Sequence, residues 1–184
     1  MIYPVVVYGH PVLRKVASEI NKDFKDLDKL IENMFETMYA SDGVGLAAPQ
    51  IGKSMRLFII DATAMEEDDP TLKDFRKVFI NPKILKSEGD KWTFNEGCLS
   101  LPNIREDVDR PGRVTIEYHD REFNKHVEEF DGVKARIIQH EYDHLEGILF
   151  IDRISPIKKK LLSGKLKAIS KGKTDVSYKI KTAG

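Results

Sequence analysis

The chain has 184 residues, 41% hydrophobic and 33% charged, with 30 basic and 30 acidic side chains in formal balance. These values fit one globular domain over residues 1–184 and give no overall reason to expect nucleic-acid binding. The single cysteine excludes an internal disulfide framework and suits a reducing compartment, so a cytoplasmic setting is expected.

The opening MIYPVVVYGHPVLRK lacks a basic leader and is broken by Pro4, Gly9 and Pro11, which argues against a signal peptide. No apolar run approaches the roughly 18 residues of a membrane-spanning helix. Leu27, Leu30, Ile31, Met34, Phe35, Met38 and Tyr39 recur at helical spacing, with Asp23 or Asp26 placed to cap and Gly43 to stop. RLFIID, KVFINP, NPKILKSE, KWTF and RVTIEYHD read as short strands, and DREFN as the turn of a hairpin joining RVTIEYH to KHVEEF. The acidic stretch from Ala62 to Asp74 has no strand period and reads as a surface loop. A second helix is predicted from about Val133 to Glu146, with Asp131 as cap and Gly147 as stop. A third opens at Ser155-Pro156 and carries Ile157, Leu161, Leu162, Leu166 and Ile169 on one side. Helix, many strands, helix, helix is an α+β order: antiparallel or mixed sheets around a central helix, flanked by an N-terminal and a C-terminal helix.

The chemistry concentrates in QHEYDH, Gln139 to His144. Residues four apart share a helix face, so His140 and His144 can hold one metal ion with Glu141 beside them as general base. Catalytic sites of this kind take three protein ligands. No histidine follows His144 and no glutamate follows Glu146, so the third ligand has to come from upstream. Cys98, the only thiol, is the candidate, with Gly97 leaving room for close backbone approach. His10, His119 and His126 are not assigned to the metal; the last two are expected to be exposed on a hairpin. SDGVGLAAPQIG, Ser41 to Gly52, has little side-chain bulk, so another peptide backbone can come close, and the Gln50 amide can reach a developing oxyanion.

GVGLAAPQ (Gly43 to Gln50), EGCLS (Glu96 to Ser100) and QHEYDH stand in the order and at roughly the spacings of the signature motifs of bacterial-type peptide deformylases. The resemblance runs from HPVLR to FIDRISP. It implies a hydrolase that removes the N-formyl group from the first methionine of new polypeptides, with one divalent ion, Fe2+ in the family, Zn2+, Ni2+ or Co2+ being able to replace it. It also implies that Cys98, His140 and His144 are the ligands and Glu141 the catalytic carboxylate. Gln50 and the Leu99 N–H would then be the oxyanion donors, and Gly45 would meet the formyl group. Phe94, Glu96, Val133, Arg136 and Ile137 would surround the methionine side chain, and the Gly43–Leu46 segment, including Val44, would pair with substrate backbone. Arg136, apolar in some members, is expected to make the pocket rim more polar. A zinc peptidase with the same helix motif and a non-catalytic structural metal module are the competing readings.

One asymmetry remains. Ser155 to Gly184 holds nine lysines and one acid, Asp175, so this segment carries +8 and the remaining 154 residues −8. A charge run is ordinarily a solvated face. Here Ile157, Leu161, Leu162 and Ala168 are expected to dock on the body and leave a basic stripe outward, suited to phosphate contacts with the ribosome. The enzyme is otherwise expected to be monomeric.

Overall fold

The computed structural model describes residues 1–184. Seven strands and four helices follow in the order β1 (Val5–Val6), α1 (Leu27–Ala40), β2 (Gly45–Ala47), β3 (Leu57–Asp61), β4 (Arg76–Cys98), β5 (Leu101–His119), β6 (Lys125–Asp131), α2 (Gly132–Leu145), α3 (Pro156–Leu161), α4 (Ser163–Ser170) and β7 (Ile180–Lys181). Strands β2 to β6 form one antiparallel sheet in chain order, while β1 and β7 make a parallel pair.

The sheet is covered on both faces, and β3 shows why. Its Leu57 and Ile59 pack with Leu30, Ile31, Met34 and Met38 of α1. Phe58 and Ile60, pointing the other way, pack with Ala135, Ile138 and Leu145 of α2. A strand buried on both faces reads as a continuous apolar run, as LFII does. α2, which carries the QHEYDH motif, is thereby clamped against the centre of the sheet. Asp131 stands at its N-terminus without a side-chain capping bond, and Gly147 follows its end at φ 72°.

β4 and β5 are much longer than the sequence predicts. The polar stretch beyond KWTF continues as a ladder, in which Asn95 pairs with Asp107 and Glu96 with Glu106. Ile104, Val108 and Arg110 alternate inward. The inner position filled by an arginine hides the period-2 signal, because an apolar residue marks that face elsewhere.

Three further expectations change. The 62–74 stretch is not merely a surface loop: it folds into two 3-10 turns, and Ala62 and Leu72 are fully buried in the core. The C-terminal helix is two helices that meet at Leu162. Ser163 and Gly164 are weak helix formers at the break, and in the second helix Leu166 and Ile169 pack with Leu101, Leu149 and Phe150. Ile157 and Leu161 consequently do not dock; they are 75% and 80% exposed. His119 and His126 are half-buried: His126 pairs with Asp120 at 2.7 Å and stacks on Tyr118, whereas Nδ1 of His119 has no partner.

Candidate metal centre

Cys98 ends β4, and a two-residue turn, Leu99-Ser100, leads into β5. This turn lies over α2, so the thiol meets the two histidines one helical turn apart. Donor atoms of Cys98, His140 and His144 all lie within 4.8 Å of one another, with Sγ 3.4 Å from Nε2 of His144. The His140 and His144 rings are 5.3 Å apart between centroids.

This donor set fits a divalent cation. Nδ1 of His140 is engaged by Glu96 Oε1 at 2.8 Å, which leaves Nε2 for the centre. Burial disfavours a charged His140, but the Cys98 thiol and Glu96 outweigh it and hold the imidazole up at about 10. His144 is pushed well below its usual value by burial and by His140, and is therefore a neutral imidazole, the form that ligates a metal. His10, by contrast, caps a 3-10 turn by accepting from the Val12 N–H.

Glu141 is 5% exposed, and its Oε2 has no hydrogen-bond partner. Burial lifts this carboxyl to about 7, against the pull of His140. A Cβ at Gly45 would come within 2.6 Å of Glu141 Oε1, so only glycine leaves the carboxylate where it is. Gln50 is oriented at both ends: Oε1 accepts from the Ala47 N–H at 3.0 Å, while Nε2 faces Cys98 Sγ at 3.5 Å and Ser100 Oγ at 3.2 Å. The Leu99 N–H donates to no atom of the fold. Its carbonyl accepts from the Tyr178 O–H at 2.8 Å, and burial together with Cys98 raises that phenol to about 12.

A cavity of about 510 Å³ opens onto these groups and is walled by Gly43, Val44, Phe94, Val133 and Ile137 among others. Leu46 takes no part in that wall, because its side chain lies in the core against α1. Its strand β2 is an edge of the sheet, with one side of the backbone unpaired.

Glu96 and Arg136 border the cavity and are tied into a buried charge network behind it. The Glu96 carboxylate accepts from Arg110 Nε at 2.7 Å, from Arg136 Nη1 at 2.8 Å and from His140. Burial would raise it, yet His140 and Arg110 hold it far below the usual carboxylate range. Arg136 is 2% exposed; it also donates to the Val108 and Trp92 carbonyls and lies 4.7 Å over the Trp92 ring. Its guanidinium is thus engaged by Glu96, two carbonyls and the Trp92 ring while it lines the cavity.

Sequence reasoning missed Arg110 and Asp143. Arg110, 2% exposed, bridges Glu96 to Asp143, which Arg153 clamps at 2.6 Å. The one signal available was an Asp inside the histidine motif, facing inward on the helix.

Residues 2–160 match the family described as polypeptide deformylase. The chain is 52% identical to the peptide deformylase of Christiangramia forsetii, over 98% of this chain and 96% of that one. It is 54% identical to that of Cytophaga hutchinsonii, over 98% and 97%. Among solved structures it is similar to the peptide deformylase of Thermus thermophilus, with TM-score 0.83, 40% identity and coverage of 94% and 99%. It is also similar to that of Synechococcus elongatus in complex with actinonin, with TM-score 0.77, 36% identity and coverage of 98% and 92%.

Proposed function

The chain belongs to the polypeptide deformylase family, and we propose that it hydrolyses the formyl group from the N-terminal methionine of new polypeptides, releasing formate. The observation that carries this reading is Glu141, a buried carboxylate with one unpaired oxygen, set beside a Cys-His-His donor set and an open cavity.

Cys98, His140 and His144 would hold one divalent ion, ferrous iron by preference. When bound it supplies Lewis acidity toward the formyl oxygen and lowers the pKa of water toward about 7. The remaining work falls to the chain. Glu141 takes the proton of the attacking water at its free oxygen and passes it to the departing amine. Gln50 Nε2 and the Leu99 N–H donate to the developing oxyanion, each contributing about 3 kcal/mol. The segment Gly43–Leu46, running into the free edge of β2, offers main-chain pairing to the peptide. Phe94, Val133 and Ile137 give the methionine side chain an apolar pocket, and the closeness of Gly45 to Glu141 leaves formyl in and the bulkier acetyl out. Glu96, with Arg110 and Arg136 behind it, orients His140.

No helix is long and apolar enough to cross a membrane. The reading places the enzyme in the cytoplasm as a monomer of one domain. Its basic C-terminal segment is proposed to dock at the ribosome, supported by the exposed Lys160, Lys165, Lys167 and Lys171.

The test is formate release from a formyl-Met peptide by anaerobically metallated protein, beside an unformylated control. Formate from the first substrate alone is expected, and Glu141→Ala should keep the metal and lose nearly all turnover. Cleavage of an internal peptide bond would instead establish a zinc peptidase, and a metal-replete protein inert to both would make the centre structural.

A further inference from the structure

Residues 161–184 lie beyond the stretch that matches the family, yet the end of the chain returns to the reaction centre. From Thr174 to Ile180 burial alternates: Thr174, Val176, Tyr178 and Ile180 are half-buried, and Asp175, Ser177 and Lys179 are exposed. The segment bends at Ser177–Tyr178 and enters β7 at Ile180, with alternate side chains turned toward the body. The Asp175 carbonyl accepts from Asn103 Nδ2 at 3.1 Å. The Lys179 carbonyl accepts from the Val5 N–H at 2.8 Å, and Ile180 packs against the cluster that includes Leu101. Between these anchors, Val176 and Tyr178 line the same cavity as Cys98 and Glu141.

We propose that this tail is a working part of the active site: Tyr178 positions the Leu99 peptide, and Val176 and Tyr178 wall the subsite for the substrate residue that follows methionine. The proposal rests on the deformylase reading above. Leu99 sits in a turn with no ladder partner of its own. Its neighbour Ser100 is held by Gln50 at the hydroxyl and by the Tyr8 N–H at the carbonyl, 2.9 Å away. Residue 99 itself is held by the Tyr178 hydroxyl. The Leu99 N–H has no acceptor within the fold; its peptide is anchored before it by the Cys98–Leu101 pair and, across the Leu99 Cα, by the Tyr178 bond to the Leu99 carbonyl. Displacing a reacting or stabilising group by about 1 Å can cost up to 100-fold in rate. In a strand laid along β2, side chains alternate in direction. The residue after methionine therefore points away from Phe94, Val133 and Ile137, toward a lining to which Leu99, Ile104, Val176 and Tyr178 contribute apolar surface.

Two variants separate the two roles, each assayed on formyl-methionine amide and on formyl-Met-Leu-Ser. Tyr178→Phe keeps the ring and loses the hydroxyl: kcat is expected to fall about ten-fold on both substrates, with KM and metal content unchanged. Tyr178→Ala also loses the wall: KM for the tripeptide is expected to rise about ten-fold further, with no such rise for the amide. Parental kcat in Tyr178→Phe, or a fall explained by lost metal, overturns the positioning role. Equal KM changes on the two substrates in Tyr178→Ala overturn the subsite. A parent protein that releases no formate refutes the deformylase reading instead. In that case binding of the two formylated compounds to Tyr178→Ala, measured by calorimetry, still tests the wall: tripeptide affinity falling no more than amide affinity overturns it.

Discussion

Glu96 accepts from Nδ1 of His140 at 2.8 Å while two buried arginines, Arg110 and Arg136, hold the other side of its carboxylate. The sheet thus aims the helix's first histidine through a carboxylate anchored on β4. Glu96→Gln keeps the shape and removes the charge that would make His140 a stronger ligand in the proposed centre. Metal affinity, measured by competition with a chelator, is expected to fall about 10- to 100-fold. Parental affinity would mean that the proposed ligand orientation does not depend on Glu96.

Gly45→Ala tests the proposed catalytic carboxylate, Glu141, from the opposite wall. The added Cβ would sit 2.6 Å from Oε1 of Glu141 and 2.9 Å from its Cδ and Cγ. Backbone and α2 are both packed, so Glu141 has to swing. The expected result is a loss of about 100-fold in kcat with metal content intact, since a displacement near 1 Å suffices for that. Unchanged turnover would show that Glu141 has room to spare.

Arg110 is the centre of the buried charge network. Arg110→Met leaves Glu96 with Arg136 and His140, and Asp143 with Arg153, but uncovers one face of each carboxylate. Removing one partner of a buried ion pair costs about 3 to 5 kcal/mol. Urea denaturation at neutral pH should show a loss near the lower end, since other cations remain. A loss below about 1 kcal/mol would mean the network relaxes around methionine.

What could be read in the sequence and what could not divide along a physical line. Side chains whose chemistry depends on near neighbours in the chain were accessible: His140, Glu141 and His144 share a helix face because of helical spacing alone. Cys98 followed by elimination, since no other soft ligand existed. Arg110 and Asp143 were invisible because nothing local distinguishes a buried charged residue from a solvated one. Their burial is decided by a hairpin that brings β4 and β5 over α2, far apart in sequence. Ile157 and Leu161 failed for the converse reason. Their helical spacing matched Leu166 and Ile169, but the helix is interrupted at Leu162 and only the second pair is buried.

Asp152 gives stability a defined acid limit. Burial alone would raise its carboxyl, yet Arg14, Lys159 and the Leu149 N–H hold it down at about 2. The unfolded chain binds a proton near the ordinary carboxylate pKa of about 3.9, and the folded chain only near the lower value. The contribution is therefore complete above about pH 4 and fades as pH falls toward 2. Full conversion of the shift gives about 2 kcal/mol. Arg14, however, is 41% exposed, and solvent screening reduces the figure to about 1 kcal/mol. Asp152→Asn should accordingly be less stable than the parent at pH 6, with the gap narrowing between pH 4 and pH 3. A gap independent of pH would assign the effect to packing.

The basic C-terminal segment allows a cleaner charge-reversal test than the sequence alone suggests. Lys158 and Lys159 lie within ion-pair distance of Glu106 and Asp152, at 3.8 Å and 2.6 Å, so reversing them would disturb the body. Lys160, Lys165, Lys167 and Lys171 make no ion pair, and all four are exposed. Lys160 and Lys167 also border a shallow groove with Tyr8, Ser163 and Ser170, so the positive potential is gathered on one side. Contacts of this kind with RNA phosphates release counterions and weaken steeply with salt. Changing these four lysines together to Glu should leave hydrolysis of short formyl peptides and the thermal midpoint near parental values. Co-sedimentation with ribosomes at low salt is expected to disappear, and in the parent to decline as salt is raised. Binding that survives the reversal, or that never occurs in the parent, would leave the lysines as a solvated face.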